Sequence, residues 1–338
     1  MEELRIDDII GVEGISNLPV ELLEPYDYLL LIPGSNKNVR ALFLQAFNDF
    51  FFHMPNDKLL QKIGEVILIF HNSSLLIDDI EDNSDYRRGM LAAHKIYGIP
   101  LTINCGNTMY FVALKKAQTE LIDLVLESRD AIQFRGNIDP LYLKYEVLNI
   151  LIEEMLSLHR GQGLEIYWRD NLSAIKENLP TLSGYMSMVL GKTGGLFRLS
   201  VKLLKLILCP NEDLDVLLPI ANLMGIIYQI RDDYLNLVSD AYANAKGTVG
   251  EDLLEGKLSF PILHCLRHTN NSPVHKLLME NGDRSQESIA ECIAYMKDES
   301  GSLKYCLDTL KTLEARTKKL INDNDSNLAQ LLSKLCSV

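Results

Sequence analysis

Positive charge is scarce in this chain: 33 Lys and Arg stand against 46 Asp and Glu in 338 residues, a formal net charge of −13. Such a balance repels polyphosphate backbones and anionic lipid, which excludes nucleic acid as a partner. The amino terminus "MEELRIDDII" has neither the basic start nor the apolar core of a signal peptide, and it is too acidic for a transit peptide. The longest apolar stretch, 216–230, falls short of a bilayer span and carries Asn222 and Gln229. These absences predict a soluble, cytoplasmic protein with no transmembrane segment. Paired cysteine spacings are missing too. Cys105, Cys209, Cys265, Cys292, Cys306 and Cys336 lie far apart, which argues against zinc motifs and disulfide frameworks and leaves reduced core thiols. The ending "KLCSV" misses the prenylation box, its cysteine being third from the end. Alternating strand patterns are nearly absent, and fixed-period repeats and low-complexity tracts do not occur, so sheet and solenoid folds are disfavoured.

What the sequence has instead is helical periodicity. "VRALFLQAFNDFF", "LLQKIGEVILIFHNSSLLI", "YEVLNILIEEMLSLH", "LLPIANLMGIIYQI" and "LKYCLDTLKTLEARTKKLI" all repeat apolar residues at three and four. Breaks fall where Pro, Gly, Asn and Asp cluster, as in "YGIP", "RGNIDP", "ENLPTL", "LCPNED" and "TNNSP". The pattern predicts an all-α fold, one large bundle of roughly ten or more helices, with residues 1–338 forming a single domain.

Two acidic clusters interrupt this apolar background. In "SSLLIDDIEDNSDYRRG" a greasy helix runs into Asp78, Asp79 and Asp82, with Asp78 and Asp82 one turn apart. Like charges so placed destabilise an isolated helix, so a positive partner is expected. Far downstream "YQIRDDYLNL" repeats the geometry with Asp232, Asp233 and Asn236, and Gln229 completes a polar stripe. A single run of acids is usually a solvated face. A matched pair, each ending a buried-type helix and accompanied by "RR" and "GKT", suits Mg²⁺ held between facing carboxylates and a diphosphate ligand, with Arg and Lys supplying further charge.

"DDIED" followed by "RRG", and "DDYLN" preceded by "YQIR", resemble the two aspartate-rich motifs of the trans-isoprenyl diphosphate synthases. "HNSSLLIDDIED", "LHRGQGLEIYWRD", "KTGGLFRL" and "EDLLEGKLSFPI" are similar to the eukaryotic geranylgeranyl diphosphate synthases in particular, from about residue 33 to about residue 264. The resemblance implies the isoprenoid synthase fold around a central apolar cavity, a homodimer, and a magnesium-dependent condensation of isopentenyl diphosphate with an allylic diphosphate, most simply farnesyl diphosphate, to geranylgeranyl diphosphate. By motif matching, Asp78, Asp79, Asp82, Asp232 and Asp233 are catalytic together with Lys192, Thr193 and Gln229. Asp78, Asp82, Asp232, Asp233 and Asn236 would ligate three Mg²⁺ ions per site, and Asp79, pointing about 100° away from Asp78, would act partly through other side chains. Arg87, Lys192, Lys246 and Lys257 match the binders of the allylic diphosphate, with Thr193 and Gln229 facing the cation. Lys37, Arg40, His71 and Arg88 match the isopentenyl pocket. His71 shares a helix stripe with Ser74, Asp78 and Asp82. Ser73 and Ser74, small residues one turn before Asp78, would leave room for a growing chain, with Tyr110, Phe111 and His159 as the floor. The chain departs from the family pattern in a longer "GSNKNVR" loop, in Leu91 at a usual proline, and in Asn236 in place of Asp. A terpene cyclase shares the fold but lacks an isopentenyl pocket, and a non-catalytic partner subunit of a prenyl synthase should have lost an acidic cluster.

Overall fold

The computed structural model describes residues 19–33, 39–54, 57–128, 139–208, 213–239, 249–280 and 282–337. Lys37, Lys246 and Cys209 lie outside them. The described chain is almost wholly helical, as the periodicity predicts. After α1 (Glu24–Leu31) and α2 (Val39–Phe47) come the long α3 (Asp57–Glu81), the short α4 (Ala93–Tyr97), α5 (Ile99–Lys116) and α6 (Ile122–Glu127). Next are α7 (Pro140–Asp170), α8 (Leu172–Ile175), α9 (Leu182–Lys192), α10 (Gly194–Leu208) and α11 (Leu214–Val238). The last third holds α12 (Glu251–Glu255), α13 (Phe260–His268), α14 (Pro273–Met279), α15 (Gln286–Asp298), α16 (Ser302–Ile321) and α17 (Asn327–Cys336).

The polar breaks become helix caps. Asp139, Thr181, Asp213 and Ser272 each accept a backbone N–H from the first turn of the helix that follows, and Pro140 and Pro273 occupy first turns where a missing N–H is harmless. The apolar faces then pack α3 on α5, α7 on α9 and α10, α10 on α11, and α11 on α16. Phe43 ties α2 into this core, its ring 5.0 Å from those of Phe47 and Phe197. The five described cysteines are unpaired, and Cys105, Cys265, Cys292 and Cys306 are buried.

Two features differ from the sequence reading. Helix α11 is longer than the apolar stretch at its centre because it continues through the acids, and by length and composition it could cross a membrane; half of its most apolar window is buried inside the bundle. The turn that follows the first acidic cluster, residues 86–91, is a small hairpin, with Tyr86–Arg87 (β1) paired antiparallel to Met90–Leu91 (β2). Its two central residues, Arg88 (φ 53°) and Gly89 (φ 81°), are both left-handed, the requirement of a tight primed turn. This turn directs Arg87 and Arg88 into different surroundings.

The helices cross most closely at glycine. A Cβ built on Gly161 of α7 would lie 2.2 Å from the Lys192 backbone nitrogen and 2.7 Å from the Met188 carbonyl oxygen. On the neighbouring crossing, a Cβ on Gly225 of α11 would lie 2.9 Å from Gly194 Cα. The missing side chains let α7, α9, α10 and α11 approach within backbone contact, which sets Lys192 and Thr193, at the α9–α10 junction, in the middle of the bundle.

Candidate active site

Helix α3 ends in Asp78, Asp79, Glu81 and Asp82, and basic or amide side chains meet each of them. Arg87 donates from Nε to Asp79 Oδ1 at 2.8 Å and reaches Asp78 Oδ2 at 3.3 Å. Gln162 donates to Asp78 at 3.0 Å and to Glu81 at 2.8 Å, and Arg169 donates to Asp82 at 2.7 Å. Asp79, 1% exposed, faces inward to Arg87, whereas Asp78 and Asp82 keep partial exposure. Burial, and then the neighbouring Asp78 carboxylate, pushes the Asp82 carboxyl up to about 6.

An unbroken alternation of acid and base links this end to the second cluster. Lys192 stands 3.6 Å from Asp78 and 2.5 Å from Glu165; Lys257 stands 3.8 Å from Glu165 and 3.6 Å from Asp252. The Asp252 N–H in turn donates to Asn236 Oδ1 at 3.1 Å. Burial opposes charge on Lys192, but Glu165 and Asp78 outweigh it and hold the ammonium above its ordinary range. Glu165 is likewise buried, yet Lys192 and Lys257 keep its carboxyl below the usual value.

On α11, neighbouring positions have different fates. Asp232 stays half-buried. Asp233, 1% exposed, accepts from the Tyr185 hydroxyl at 2.5 Å, from Gln229 Nε2 at 2.8 Å and from the Phe260 N–H at 2.8 Å. Thr193 donates to Gln229 Oε1 at 2.6 Å, so Thr193, Gln229 and Asp233 form one hydrogen-bonded file. Both oxygens of Asp233 and the Asn236 amide oxygen therefore already hold protein donors.

A second basic group is built around Arg40 and His71. Arg40 is 3.2 Å from His71 Nε2 and stacks over the Phe197 and Tyr228 rings at 5.8 and 5.5 Å. Burial first, then the charges of Arg40, Arg88 and Arg87, hold the His71 pKa well below its ordinary value, so the imidazole is neutral at pH 7. Arg40 thus touches a neutral ring, on which Arg88 and Arg87 act through their charge.

The five residues expected to govern chain length do not share one surface. Ser73 is fully buried and donates back to the Ile69 carbonyl, while Ser74, half-buried, donates to the His71 carbonyl. Tyr110 sits between Phe70 and His159, at ring separations of 6.3 and 5.5 Å. Phe111, one residue and about 100° further round α5, points outward and is 70% exposed; His159 is exposed as well. Within one chain, Tyr110 is the inward-facing member of this floor.

Gln162, Glu165 and Arg169 were not assigned from the sequence. They stand three and four residues apart on α7, hence on one stripe, and a polar stripe in a helix of this length was the available signal. Tyr185 and Asp252 carried no such signal.

The donor set is oxygen only, which suits a hard cation. Among the described residues no three acidic, His or Cys side chains converge into a ready-made metal cage. Asp79 Oδ2 and Asp252 Oδ2 are buried with no hydrogen-bond partner among the described residues, leaving lone pairs for a ligand or its water. A cavity of about 540 Å³ opens beside this acidic end, lined in part by Asp82, Arg169, Glu251 and Arg284.

The family model described as polyprenyl synthetase matches residues 19–296. The chain is 41% identical over 300 residues to a geranylgeranyl pyrophosphate synthase, dpmpD, of Macrophomina phaseolina, covering 88% of this chain and 81% of that protein. It is 42% identical over 302 residues to dpmaD of Metarhizium anisopliae, with 88% and 80% covered. A Mucor circinelloides protein of the same printed name is 40% identical over 303 residues, with 89% and 87% covered.

Proposed function

The chain belongs to the polyprenyl synthetase family, and from that premise we propose that it joins isopentenyl diphosphate to an allylic diphosphate, releasing pyrophosphate and geranylgeranyl diphosphate. The observation that carries this reading is the continuous file Asp78–Lys192–Glu165–Lys257–Asp252, which ties two acidic helix ends into one site. A diphosphate leaving group needs positive charge where negative charge develops. Lys192, Lys257 and Arg87 supply it from the protein, and Asp78, Asp82 and Asp232 would hold Mg²⁺. When bound, the metal adds Lewis-acid stabilisation of the departing pyrophosphate. Asp79, Asp233 and Asn236, committed to Arg87, Tyr185, Gln229 and Asp252, orient the clusters. By resemblance to the family, three Mg²⁺ ions would occupy each site.

The reaction balances without a redox partner. The allylic carbon–oxygen bond breaks, the isopentenyl double bond forms the new carbon–carbon bond, and a proton leaves the neighbouring carbon. Thr193 and Gln229 line the place of the cation, while Arg40, Arg88, His71 and Lys37 seat the isopentenyl diphosphate; Lys246 joins the allylic side. Mixing the protein with both substrates and Mg²⁺ should release pyrophosphate, and chelating the metal should stop it. Release from the allylic substrate plus water alone, with no dependence on isopentenyl diphosphate, would favour a cyclase-type activity.

Chain length follows from the same helix. Ser74 lies one turn before Asp78, so an aromatic ring there would stand in the path of the elongating chain. Ser74→Phe is expected to shift the main product from twenty to fifteen carbons, read by mass; an unchanged twenty-carbon product would move the tunnel elsewhere.

We also read the chain as a cytoplasmic homodimer, with residues 1–338 as one domain. Leu141, Tyr145, Ile152 and Leu156 form an exposed apolar stripe on α7, and Phe111 and Ile103 are exposed on α5. A second copy would cover them and the exposed end of the Tyr110–His159 floor. Sedimentation should give twice the chain mass of 38.2 kDa; a monomer at micromolar concentration would refute this.

A further inference from the structure

Where α9 breaks into α10, within "KTGGLFRL", a single side chain gathers the helices around the break. Arg198 leaves α10 and its guanidinium reaches α7, α9 and α11 at once. Nε and Nη2 donate to the Glu154 carboxylate of α7 at 3.1 and 2.7 Å, and Nη2 also donates to Ser157 Oγ at 3.2 Å. Nη1 donates to Asn222 Oδ1 of α11 at 3.2 Å and to the Leu190 carbonyl oxygen of α9 at 2.7 Å. Every N–H of the guanidinium therefore has an acceptor. Glu154 is 3% exposed and takes Lys202 at its Oε1, 2.7 Å away, so this ion group sits inside the bundle.

The contact with Leu190 connects the group to the candidate active site. The last carbonyls of a helix have no partner within it, and a basic side chain that reaches one of them also complements the helix dipole. Leu190 stands two residues before Lys192, the end of α9. A Cβ built on Gly194 would lie 2.8 Å from Arg198 Nη1, so the guanidinium occupies the space that a side chain at the start of α10 would take. We propose that Arg198 is a positioning residue for the condensation: it fixes the break between α9 and α10, and through that backbone it sets Lys192 against Glu165 and Asp78 and Thr193 against Gln229. The inference rests on the reading that Lys192 and Thr193 serve the diphosphate and the cation. Lysine is no substitute for this arginine. It would keep a positive charge beside Glu154 but lacks the planar fork that reaches Leu190 and Asn222 together.

Amide hydrogen exchange and steady-state kinetics on the full-length protein test the assignment. Exchange at the α9–α10 junction, residues 189–195, should be at least ~10-fold faster in Arg198→Lys than in the wild type without substrate, a hydrogen bond to a charged group being worth that much. Its kcat should fall at least ~10-fold, and by more than either KM changes, because misplacing a group by about 1 Å can cost ~100-fold. Lys202→Gln withdraws the other cation from Glu154 and leaves the Leu190 contact, so it should lower the unfolding midpoint while junction exchange and kcat stay at wild-type values. Asn222→Ala removes one acceptor from Nη1 at a smaller loss of packing, and it should move exchange and kcat in the direction of Arg198→Lys even where the latter folds poorly. Unchanged junction exchange in Arg198→Lys and Asn222→Ala, or an equal fall of kcat in Lys202→Gln, would overturn the proposal. A wild type that forms no carbon–carbon bond would remove the proposed reaction instead, and the exchange contrast would still decide whether Arg198 holds the break.

Discussion

Asp78→Ala is expected to lower kcat at least ~100-fold, the scale of losing one strong electrostatic stabiliser of a transition state. Three side chains converge on this carboxylate: Gln162 at 3.0 Å, Arg87 at 3.3 Å and Lys192 at 3.6 Å. Removing it would take away a proposed metal ligand and leave Lys192 paired with Glu165 alone. The loss should appear in kcat more than in KM, because charge on the pyrophosphate grows as the bond breaks. Stability should behave differently. Asp78, Asp79, Glu81 and Asp82 crowd the carboxyl end of α3, where the helix dipole already disfavours negative charge. Deleting Asp78 should therefore leave the unfolding midpoint close to that of the wild type. Turnover within a few-fold of wild type would remove Asp78 from the chemistry, and a large fall in the midpoint would make the residue structural. Asp232→Ala, on the half-buried face of α11, is expected to follow the same pattern.

Gly161→Ala should do the reverse, losing stability and activity together. Its Cβ would fall 2.2 Å from the Lys192 backbone nitrogen, and backbone cannot swing aside as a flexible side chain can. Overpacking of this kind costs about 1–3 kcal/mol or more, and the displaced α9 carries Lys192 away from Glu165 and Asp78. Two residues further on, Gly163 has open space where a Cβ would go, within the same helix. Gly163→Ala should stabilise by up to about 1 kcal/mol, because glycine inside a helix is unfavourable relative to alanine. Thermal unfolding of the pair decides it: a similar midpoint change in both variants would contradict the close crossing.

The acidic clusters were legible because helix spacing alone puts Asp78 over Asp82, and because like charges ending an apolar helix demand an explanation. The division between Asp232 and Asp233 was not. Adjacent positions on a helix differ by about 100°, and which of them meets Tyr185 and the Phe260 N–H depends on how α9 and α13 cross α11. Tyr110 and Phe111 repeat the point: periodicity marks α5, but only packing turns one ring toward His159 and leaves the other outside. The polar breaks predicted helix ends because capping is local; Asp139, Asp213 and Ser272 act within a few residues of themselves. The Arg87–Met90 hairpin escaped notice because its strands are two residues long, too short to alternate. Glu165 was missed for a different reason. A single acid inside a helix reads as a solvated face until Lys192 and Lys257, distant in sequence, are seen to bracket it.

The most direct measurement is the mass of the prenyl product formed from labelled isopentenyl diphosphate, Mg²⁺ and each allylic starter in turn. The predicted result is a twenty-carbon diphosphate, formed from farnesyl diphosphate by one condensation. A cyclised hydrocarbon, or no new carbon–carbon bond with any starter, would contradict it.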